Sequence, residues 1–488
     1  MVRLTGEFGE QSALRGRAIG IEKMAPKSGD LALAEHLFET LRDRILDGVM
    51  RHGEKLPGTR LIARDAGVSR WTAVMAVDML IAEGLVEARK RSGTYVSWSG
   101  TKADFKPDPA AAEPSQTVQH HLPFAVGTPG LDLFPMQVWR RLQARRWKQM
   151  PLDALQTGHD GGWPELRSAI AAHVAMTRGI NCLPSQVFVT TSAHAAILIA
   201  GEVLCRPGSV VWIEDPGYFR THAALHAAGL APVPVRLDGD GIDIDEGRRL
   251  APKAAMAVVT PSAQFPTGIR MSEARKKSLL EWSADVGSFI IEDDFGGEFV
   301  QGRTSAVLAA MPNAARVVYM NTFSTTIFPS LRLSYLIVPK PICERFNAAV
   351  RQTERYATVP NQIVLADFLA SGQFAKHLRR CKDAYAERRE VLVEALREEC
   401  AGVLSVDDGA GGLHLCMKFT KPCNDVGVAE AARQAGLIVE PLSRFYVNAP
   451  KLPGLLLGFA GFRPDVLREN AKRLGSLLKS PATARLSA

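Results

Sequence analysis

Cysteine is scarce in this sequence, and no spacing pairs the cysteines that are present. Seven are spread along 488 residues, with no C-x-x-C pair and no zinc-finger spacing among them. A disulfide-stapled secreted domain or a zinc module would show regular cysteine spacing. We therefore expect scattered reduced thiols in a cytoplasmic protein, and no metal site.

Long apolar runs are also missing. No stretch approaches the roughly 20 uninterrupted apolar residues that a membrane span needs. Charges interrupt residues 1–30 too often for the apolar core of a signal peptide. These absences predict a cytoplasmic protein that contacts no membrane, with residues 1–30 forming a mobile tail.

Charge of one sign is not concentrated enough to define a partner. The formal net charge is +8, from 59 basic and 51 acidic residues, which permits binding to nucleic acid without requiring it. Hydrophobic residues make up 46% of the chain, which is enough to build large cores and argues against wholesale disorder. The length fits two or three domains.

Three regions differ in composition and in hydrophobic periodicity, which predicts a multidomain α/β protein. Residues 31–97 show helical periodicity and end in a short basic hairpin, whereas residues 98–122 are rich in Pro, Ala and Ser and are typical of a linker. Residues 123–488 alternate short apolar strands with helices, which predicts a layered domain with a mostly parallel sheet and, after Pro341, a smaller α+β subdomain. The predicted strands are 187–190, 210–215, 254–261, 289–294 and 317–323, with helices at Ala193–Leu204 and Glu273–Asp285.

The first region begins with an amphipathic helix over Leu33–Gly48, and two shorter helices follow. The predicted apolar face of the first helix consists of Leu37, Phe38, Leu41 and Ile45. Thr59 can cap a short helix that runs through Asp65, Gly67 supplies a tight turn, and Ser69 can cap the next helix. The buried stripe of that last helix is predicted to be Val74, Val77, Leu80 and Ile81.

A helix-turn-helix presents the N-terminal end of its second helix to base edges in the major groove. Here that end carries Arg70, Trp71 and Thr72. A hairpin follows in which basic residues precede a turn at Ser92-Gly93, as expected of a wing that contacts phosphates or enters the minor groove. The alternative interpretation is a plain helical bundle with a solvated basic face.

The order of L-P-G-T-R, G-V-S-R, the apolar stripe and S-G-T-Y-V strongly resembles the GntR family of winged helix-turn-helix domains over residues 34–96. The resemblance implies double-stranded operator DNA as a partner and a role in transcription regulation. It implies that the residues facing DNA are Arg60, Ser69, Arg70 and Thr72, with the wing contributing Arg89, Lys90, Arg91 and Gly93.

In the third region, polar residues follow the apolar strands at the carboxyl edge of the predicted sheet, where ligands bind in open α/β folds. The segment T-T-S-A-H at 190–194 leads from a strand into a helix, so its amides and hydroxyls can hold a phosphate. An aromatic ring at Tyr218 and a carboxylate at Asp293 follow two other strands. Thr322, Ser324 and Arg332 can complete a phosphate clamp.

Together these segments match the fold-type I aminotransferase pattern from about Phe124 onward. Four of them look like segments of the MocR-type regulators, which fuse a GntR head to this fold: TPSAQFPTG (260–268), IIEDDFGGEF (290–299), NTFSTTIFPSLRLSYLIVP (321–339) and HLRRCKDAYAERR (377–389). The resemblance implies a homodimer with pyridoxal 5′-phosphate (PLP) and an amine-bearing effector as ligands. It implies cofactor contacts from Ser192, Ala193, His194, Tyr218, Asp293, Thr322, Ser324 and Arg332.

The departures from the family pattern concern covalent capture. The family's T-F-S-K reads T-F-S-T here, so Thr325 stands at the position of the lysine that bonds to PLP, and a hydroxyl cannot form an imine. The usual Tyr after E-D-D is Phe295, and Leu456 stands where aminotransferases hold an Arg for the substrate carboxylate. Smaller departures in the phosphate cradle and its surroundings are Ser192, His194 and Ala263.

These features predict a sensor without catalytic residues that holds PLP, pyridoxamine phosphate or a PLP–amine adduct without a covalent bond. Leu456 favours an amine without an α-carboxylate, such as an amino sugar or an aminocyclitol like rhizopine. Arg220 can contact a polar group of this effector, or it can be a solvated surface residue. Two alternatives are a working PLP-dependent aminotransferase with an accessory DNA-binding domain, and a regulator whose cleft now holds another anionic metabolite.

Overall fold

The computed structural model describes residues 30–90, 92–100, 122–156, 158–300, 305–406, 412–448 and 450–480. The predicted tail at 1–29, most of the predicted linker (101–121) and Arg91 lie outside these residues. The chain divides into two compact units at Thr117 and Val118. None of the described helices is both long and apolar enough to cross a lipid bilayer.

The amino-terminal unit contains three helices and a two-stranded antiparallel hairpin. The helices are α1 (Asp30–Leu46), α2 (Thr59–Ala66) and α3 (Arg70–Ala82), and the strands are β1 (Val86–Arg89) and β2 (Gly93–Val96). The four apolar residues predicted for the first helix are all buried in one core. Gly67 ends α2 in the left-handed conformation with φ of 70°, as the turn requires.

Two local details of this unit differ from the prediction. Thr59 is the first residue of α2 instead of its cap, and Gly58 precedes the helix without a side-chain bond. The buried face of α3 is formed by Ala73, Ala76, Val77 and Leu80, while Ile81 is 37% exposed. Small residues on this face let α3 approach α1, against which it packs.

The carboxy-terminal unit contains an eight-stranded sheet. Its strands are β3 (Val187–Thr190), β4 (Val210–Asp215), β5 (Ala231–Asp238), β6 (Gly241–Ile242), β7 (Met256–Val259), β8 (Phe289–Asp293), β9 (Val317–Thr322) and β10 (Ser334–Ile337), in the order β3-β10-β9-β8-β7-β4-β5-β6. The central pairs from β5 to β9 are parallel, and β10 lies antiparallel between β3 and β9. The mostly parallel sheet is therefore confirmed.

Helices cover this sheet and lead to a smaller sheet. They are α4 (Met136–Lys148), α5 (Pro164–Arg178), α6 (Ala193–Leu204), α7 (Phe219–Ala227), α8 (Ile244–Leu250), α9 (Glu273–Val286), α10 (Cys343–Thr353), α11 (Val359–Ala370), α12 (Gln373–Glu399), α13 (Asp425–Gln434) and α14 (Pro464–Leu478). A four-stranded antiparallel sheet with order β11-β12-β14-β13 lies near the end of the chain. Its strands are β11 (Leu404–Val406), β12 (His414–Phe419), β13 (Glu440–Pro441) and β14 (Gly454–Gly458). The predicted smaller α+β part is therefore present.

Candidate functional site

The N-terminal end of α3 is capped and solvent-exposed. The Ser69 hydroxyl accepts a hydrogen bond from the backbone amide of Thr72 at 3.1 Å, as the sequence predicts. Arg70 is exposed, and the Trp71 side chain is 54% exposed, which is high for a large aromatic residue. This end of the helix therefore presents a cation and an apolar ring to solvent.

Thr72 does not share this exposure, and the prediction that it faces DNA is wrong in this respect. Its side chain is completely buried, and its hydroxyl lies 2.8 Å from the Ser69 hydroxyl. The third helical residue turns inward because the buried face of α3 begins there, one position before Ala73. Thr72 thus supports the helix cap, and Trp71 is the exposed neighbour of Arg70.

The other predicted DNA contacts lie on α2 and on the hairpin. Arg60 and Lys90 are exposed. Arg89 is also exposed, but its guanidinium pairs with Glu87 at 2.6 Å and lies 4.6 Å from the centre of the Tyr95 ring. Gly93 has φ of 119°, a conformation that residues with a Cβ rarely adopt, so glycine suits this turn.

A cavity of about 690 Å³ opens at the carboxyl edge of the eight-stranded sheet. Every residue predicted to bind the cofactor, and also Arg220, lines this one cavity: Ser192, Ala193, His194, Tyr218, Arg220, Asp293, Thr322, Ser324 and Arg332. These residues lie at or after the ends of β3, β4, β8 and β9 or just before the antiparallel strand β10, so the sheet topology brings them to one edge. The structure thus unites the predicted set, while the role of each residue remains a prediction.

One end of the cavity is rich in hydroxyls and hydrogen-bond donors. Ser192 caps α6 by accepting from the Ala195 amide at 3.1 Å, so the first amides of this helix point toward the cavity end. The Thr322 hydroxyl accepts from the Ser324 amide at 3.1 Å. Arg332 is exposed and has a left-handed backbone with φ of 52°, a strained conformation that is enriched at functional sites. An anion would find both charge and amide donors here.

An aromatic ring and a carboxylate lie in the middle of the cavity. Tyr218 is 37% exposed and meets Phe265 edge-to-face, with ring centroids 5.4 Å apart. Asp293 ends β8, and desolvation together with the neighbouring Asp294 raises its pKa to about 7. A protonated ring nitrogen would stabilise the carboxylate form of Asp293 in this setting.

Only one member of the Asp293-Asp294 pair reaches the cavity. Asp294 is completely buried and binds Arg178 at 2.7 Å, the Tyr319 hydroxyl at 2.6 Å and the Ser262 hydroxyl at 2.5 Å. Its hydrogen bonds and ion pair are therefore made within the protein. Asp293 is the carboxylate available to a ligand.

Thr325 lies in the cavity wall without a hydrogen-bond partner. Its side chain is only 4% exposed, and its hydroxyl has no hydrogen-bond partner among the described residues. None of the described residues that line the cavity is a lysine. The wall therefore offers a buried hydroxyl at this position.

The first turn of α7 also lines the cavity. Arg220 is exposed, and its backbone oxygen lies 3.2 Å from the His194 ring nitrogen Nδ1. The His222 nitrogen Nε2 is buried and has no partner in the part of the chain that the structure describes. Sequence reasoning missed Thr221 and His222, although their helical spacing from Tyr218 carried the signal. It also missed Glu214, a buried cavity residue that accepts from the Thr260 amide at 3.0 Å.

Leu456 lies outside the cavity wall. It is completely buried on β14 in an apolar cluster with Phe265, Cys416, Leu442 and Phe445. Phe265 and Phe295 do line the cavity, and their ring centroids are 5.8 Å apart. The side of the cavity next to Leu456 is therefore aromatic, and this position supplies no cation.

Comparisons with known proteins match both units. Residues 33–96 match the bacterial regulatory proteins of the gntR family, and residues 120–474 match aminotransferase class I and II. The probable rhizopine catabolism regulatory protein MocR of Rhizobium meliloti is 33% identical over 92% of this chain and 94% of its own length. The transcriptional regulator TauR of Rhodobacter capsulatus is 30% identical over 95% of this chain and 100% of its own.

This chain belongs to the MocR-type transcriptional regulators. In a MocR-type chain, a GntR DNA-binding domain precedes a domain of the aminotransferase fold. The kynurenine aminotransferase of Pyrococcus horikoshii has this fold with a TM-score of 0.69, at 23% identity over 80% of this chain and 98% of its own. At this identity the likeness establishes the fold alone, and it confirms the predicted fold class.

The cavity of this MocR-type chain offers groups that suit the phosphate, the ring and the ring nitrogen of PLP. The end of α6, Thr322 and Arg332 match a phosphate, the ring of Tyr218 matches a flat heterocycle, and Asp293 matches a pyridinium nitrogen. The buried hydroxyl of Thr325 has no partner of its own, so a polar ligand group would satisfy it. The residues therefore fit the cofactor.

Proposed function

We propose that this protein is a ligand-controlled DNA-binding regulator whose carboxy-terminal unit senses PLP, pyridoxamine phosphate or a PLP–amine adduct without catalysis. The amino-terminal unit binds double-stranded operator DNA through α3 and the hairpin. The observation that carries the proposal is Thr325, a buried residue of the cavity wall in a segment, T-F-S-T, that resembles the family's T-F-S-K. The cofactor-binding residues that the sequence predicts line the same cavity.

The chemistry of the cavity supports binding without turnover. PLP supplies an electron sink to enzymes that pair it with a lysine, which serves as imine partner and proton shuttle. Thr325 can do neither, because its hydroxyl is neither a nucleophilic amine nor a base near neutral pH. The remaining residues can hold the phosphate and orient the ring, which is what a receptor requires.

The effector is proposed to be an amine that lacks an α-carboxylate. The buried surroundings of Leu456 offer no cation to a carboxylate. Arg220 and His222, in the first turn of α7, line the cavity and can contact hydroxyl groups of a polyhydroxylated amine such as an amino sugar or an aminocyclitol. A relative named for the catabolism of rhizopine, an aminocyclitol, agrees with this class.

Control of DNA binding requires two conformations with different affinities for the ligand. We propose a homodimer, because paired operator half-sites match a two-fold protein. Large apolar side chains are exposed within a short stretch of the carboxy-terminal unit and support an interface there: Leu131, Met136, Trp147, Leu152 and Leu155. Light scattering that gave a monomer mass with and without operator DNA would contradict the dimer.

The first test is the absorbance spectrum of the purified protein after incubation with PLP and dialysis, with and without borohydride. A retained pyridoxal chromophore and no protein-linked adduct is expected. An adduct on a lysine would instead favour a PLP-dependent enzyme with an accessory DNA-binding domain. Loss of all PLP, with or without added amines, would favour a different anionic metabolite, although such a ligand would leave Asp293 without a partner.

A further inference from the structure

Hydrogen bonds fix the turn that contains Thr325 on both of its sides. The Thr322 hydroxyl accepts from the Ser324 amide at 3.1 Å and from the Ser334 hydroxyl at 2.8 Å. On the other side, the backbone oxygen of Thr326 lies 2.8 Å from the buried His377 ring nitrogen Nε2. The turn is therefore pinned before and after Thr325.

Within this turn, the Thr325 hydroxyl is buried and makes no hydrogen bond to the described residues. The side chain is 96% buried, and its oxygen has no partner among the described residues, yet it lines the cavity. Buried hydroxyls are normally hydrogen-bonded, because losing water without a replacement is unfavourable. Because Thr325 lines the cavity, a ligand bound there is a partner that can complete its hydroxyl.

We propose that the Thr325 hydroxyl recognises the nitrogen carried by the 4′ carbon of a pyridoxamine-type ligand. This inference rests on the proposed function. The resemblance of T-F-S-T to the family's T-F-S-K implies that Thr325 stands where the lysine bonds to that carbon, so its hydroxyl would meet the nitrogen of the bound amine. A hydroxyl both donates and accepts, so it can bind this nitrogen whether or not the nitrogen is protonated.

The position that the family uses for covalent capture is thus proposed to select, in this chain, ligands that already carry an amine. Free PLP presents an aldehyde oxygen, which accepts a hydrogen bond but donates none, so it uses only half of the capacity of Thr325. A ligand with a methyl group at this carbon would leave the hydroxyl without a partner. The predicted preference is therefore pyridoxamine phosphate first, PLP second, and 4-deoxypyridoxine 5′-phosphate last.

The test measures equilibrium binding of pyridoxamine phosphate and 4-deoxypyridoxine 5′-phosphate to the full-length protein by calorimetry. Wild type should bind pyridoxamine phosphate about tenfold more tightly, the usual effect of one hydrogen bond to a buried group. Thr325→Val keeps the shape but removes the hydroxyl, so the preference should fall to about onefold. Thr325→Ser should retain most of it.

The matched control is Thr326→Val. Thr326 is equally buried, but its hydroxyl contacts the Phe323 backbone oxygen and it does not line the cavity. This variant should keep the wild-type preference. The ligand-free melting temperature adds a second readout, because Thr325→Val removes an unpaired buried hydroxyl and should melt at or above the wild-type temperature.

The outcomes separate this inference from the proposed function. If wild type binds both ligands and Thr325→Val keeps the full preference, the role of Thr325 is wrong while the sensor proposal stands. If wild type binds neither ligand, the sensor proposal itself fails. If Thr325→Val does not fold, an unchanged preference in Thr325→Ala would likewise overturn the role of Thr325.

Discussion

The polar groups at the N-terminal end of α3 and those in the cavity of the carboxy-terminal unit differ in exposure and in hydrogen bonding. Around α3, Arg70 is exposed, and the buried hydroxyl of Thr72 lies within bonding distance of Ser69. In the cavity, Asp293 is desolvated, and the buried Thr325 hydroxyl has no partner among the residues that the structure describes. The polar groups at the end of α3 are exposed to solvent or bonded within the protein, whereas buried polar groups of the cavity need a ligand to bond them.

The difference follows from the partners that the two regions are proposed to bind. DNA is a large polyanion that binds exposed cations, so its partner surface need not bury any charge beforehand. A small ligand must be enclosed, so its cavity pays a desolvation cost that the ligand later offsets. Substitutions in the two regions should therefore affect binding and stability differently.

The largest effect is expected from removing the buried carboxylate of the cavity. Asp293→Ala should lower the affinity for pyridoxamine phosphate by about a hundredfold, because the ring nitrogen loses its charged partner. Calorimetry measures this, and Asp245→Ala on exposed α8 is the control for a surface carboxylate. Equal loss in both variants would show that general charge, not the cavity, governs binding.

The next largest effect is expected from a substitution at the exposed N-terminal end of α3. Arg70→Ala should weaken operator binding by about tenfold to a hundredfold, since an arginine at a recognition helix makes a strong contact to a base or phosphate. Fluorescence anisotropy with labelled operator measures the change. Arg42→Ala is the control, because that exposed arginine pairs with Glu83 on the protein itself. An unchanged affinity in Arg70→Ala would remove α3 from the interface.

A smaller effect should distinguish a residue that stabilises the helix cap, Ser69, from a residue that contacts DNA, Trp71. Ser69→Ala removes the acceptor of the Thr72 amide and should destabilise the amino-terminal unit by about 1 kcal/mol. Trp71→Ala removes an exposed ring and should change stability little while weakening DNA binding. Chemical denaturation and anisotropy on the same variants measure both quantities. The reverse pattern would contradict the assignment of Trp71 as the exposed contact.

The smallest effect is a pH dependence of the ligand-free protein. Burial raises the pKa of Asp293 and of Glu214 to about 7. The unfolded chain releases these protons at about pH 4, so the folded state holds more protons between these values and loses stability as the pH rises through the window. Asp293→Asn should make the fall in melting temperature from pH 5 to pH 7.5 shallower by about 1 to 2 °C. A steeper fall of the melting temperature in this variant would contradict the predicted direction of the pH dependence.

Local periodicity was sufficient to predict much of the fold. The strands Val187–Thr190 and Val210–Asp215 and the helix Ala193–Leu204 have the predicted bounds, because short apolar runs and a cap at Ser192 define them without help from distant residues. The prediction for α3 was less accurate. Its apolar residues can form more than one stripe, and only packing against α1 selects the face that includes Ala73 and Thr72.

The sequence by itself determined the order of the two units and the candidate residues of the cavity, and it places Thr325 in a segment that resembles the family's T-F-S-K. These features depend on residue identity and on spacing along the chain. Only the tertiary structure decided which polar groups have partners. It paired Asp294 with Arg178, left Asp293 lining the cavity and buried Leu456 away from the cavity wall. Within the described part of the chain, it left the Thr325 hydroxyl without a hydrogen bond. Hydrogen-bond satisfaction depends on groups from distant segments, and those segments meet only in the folded chain.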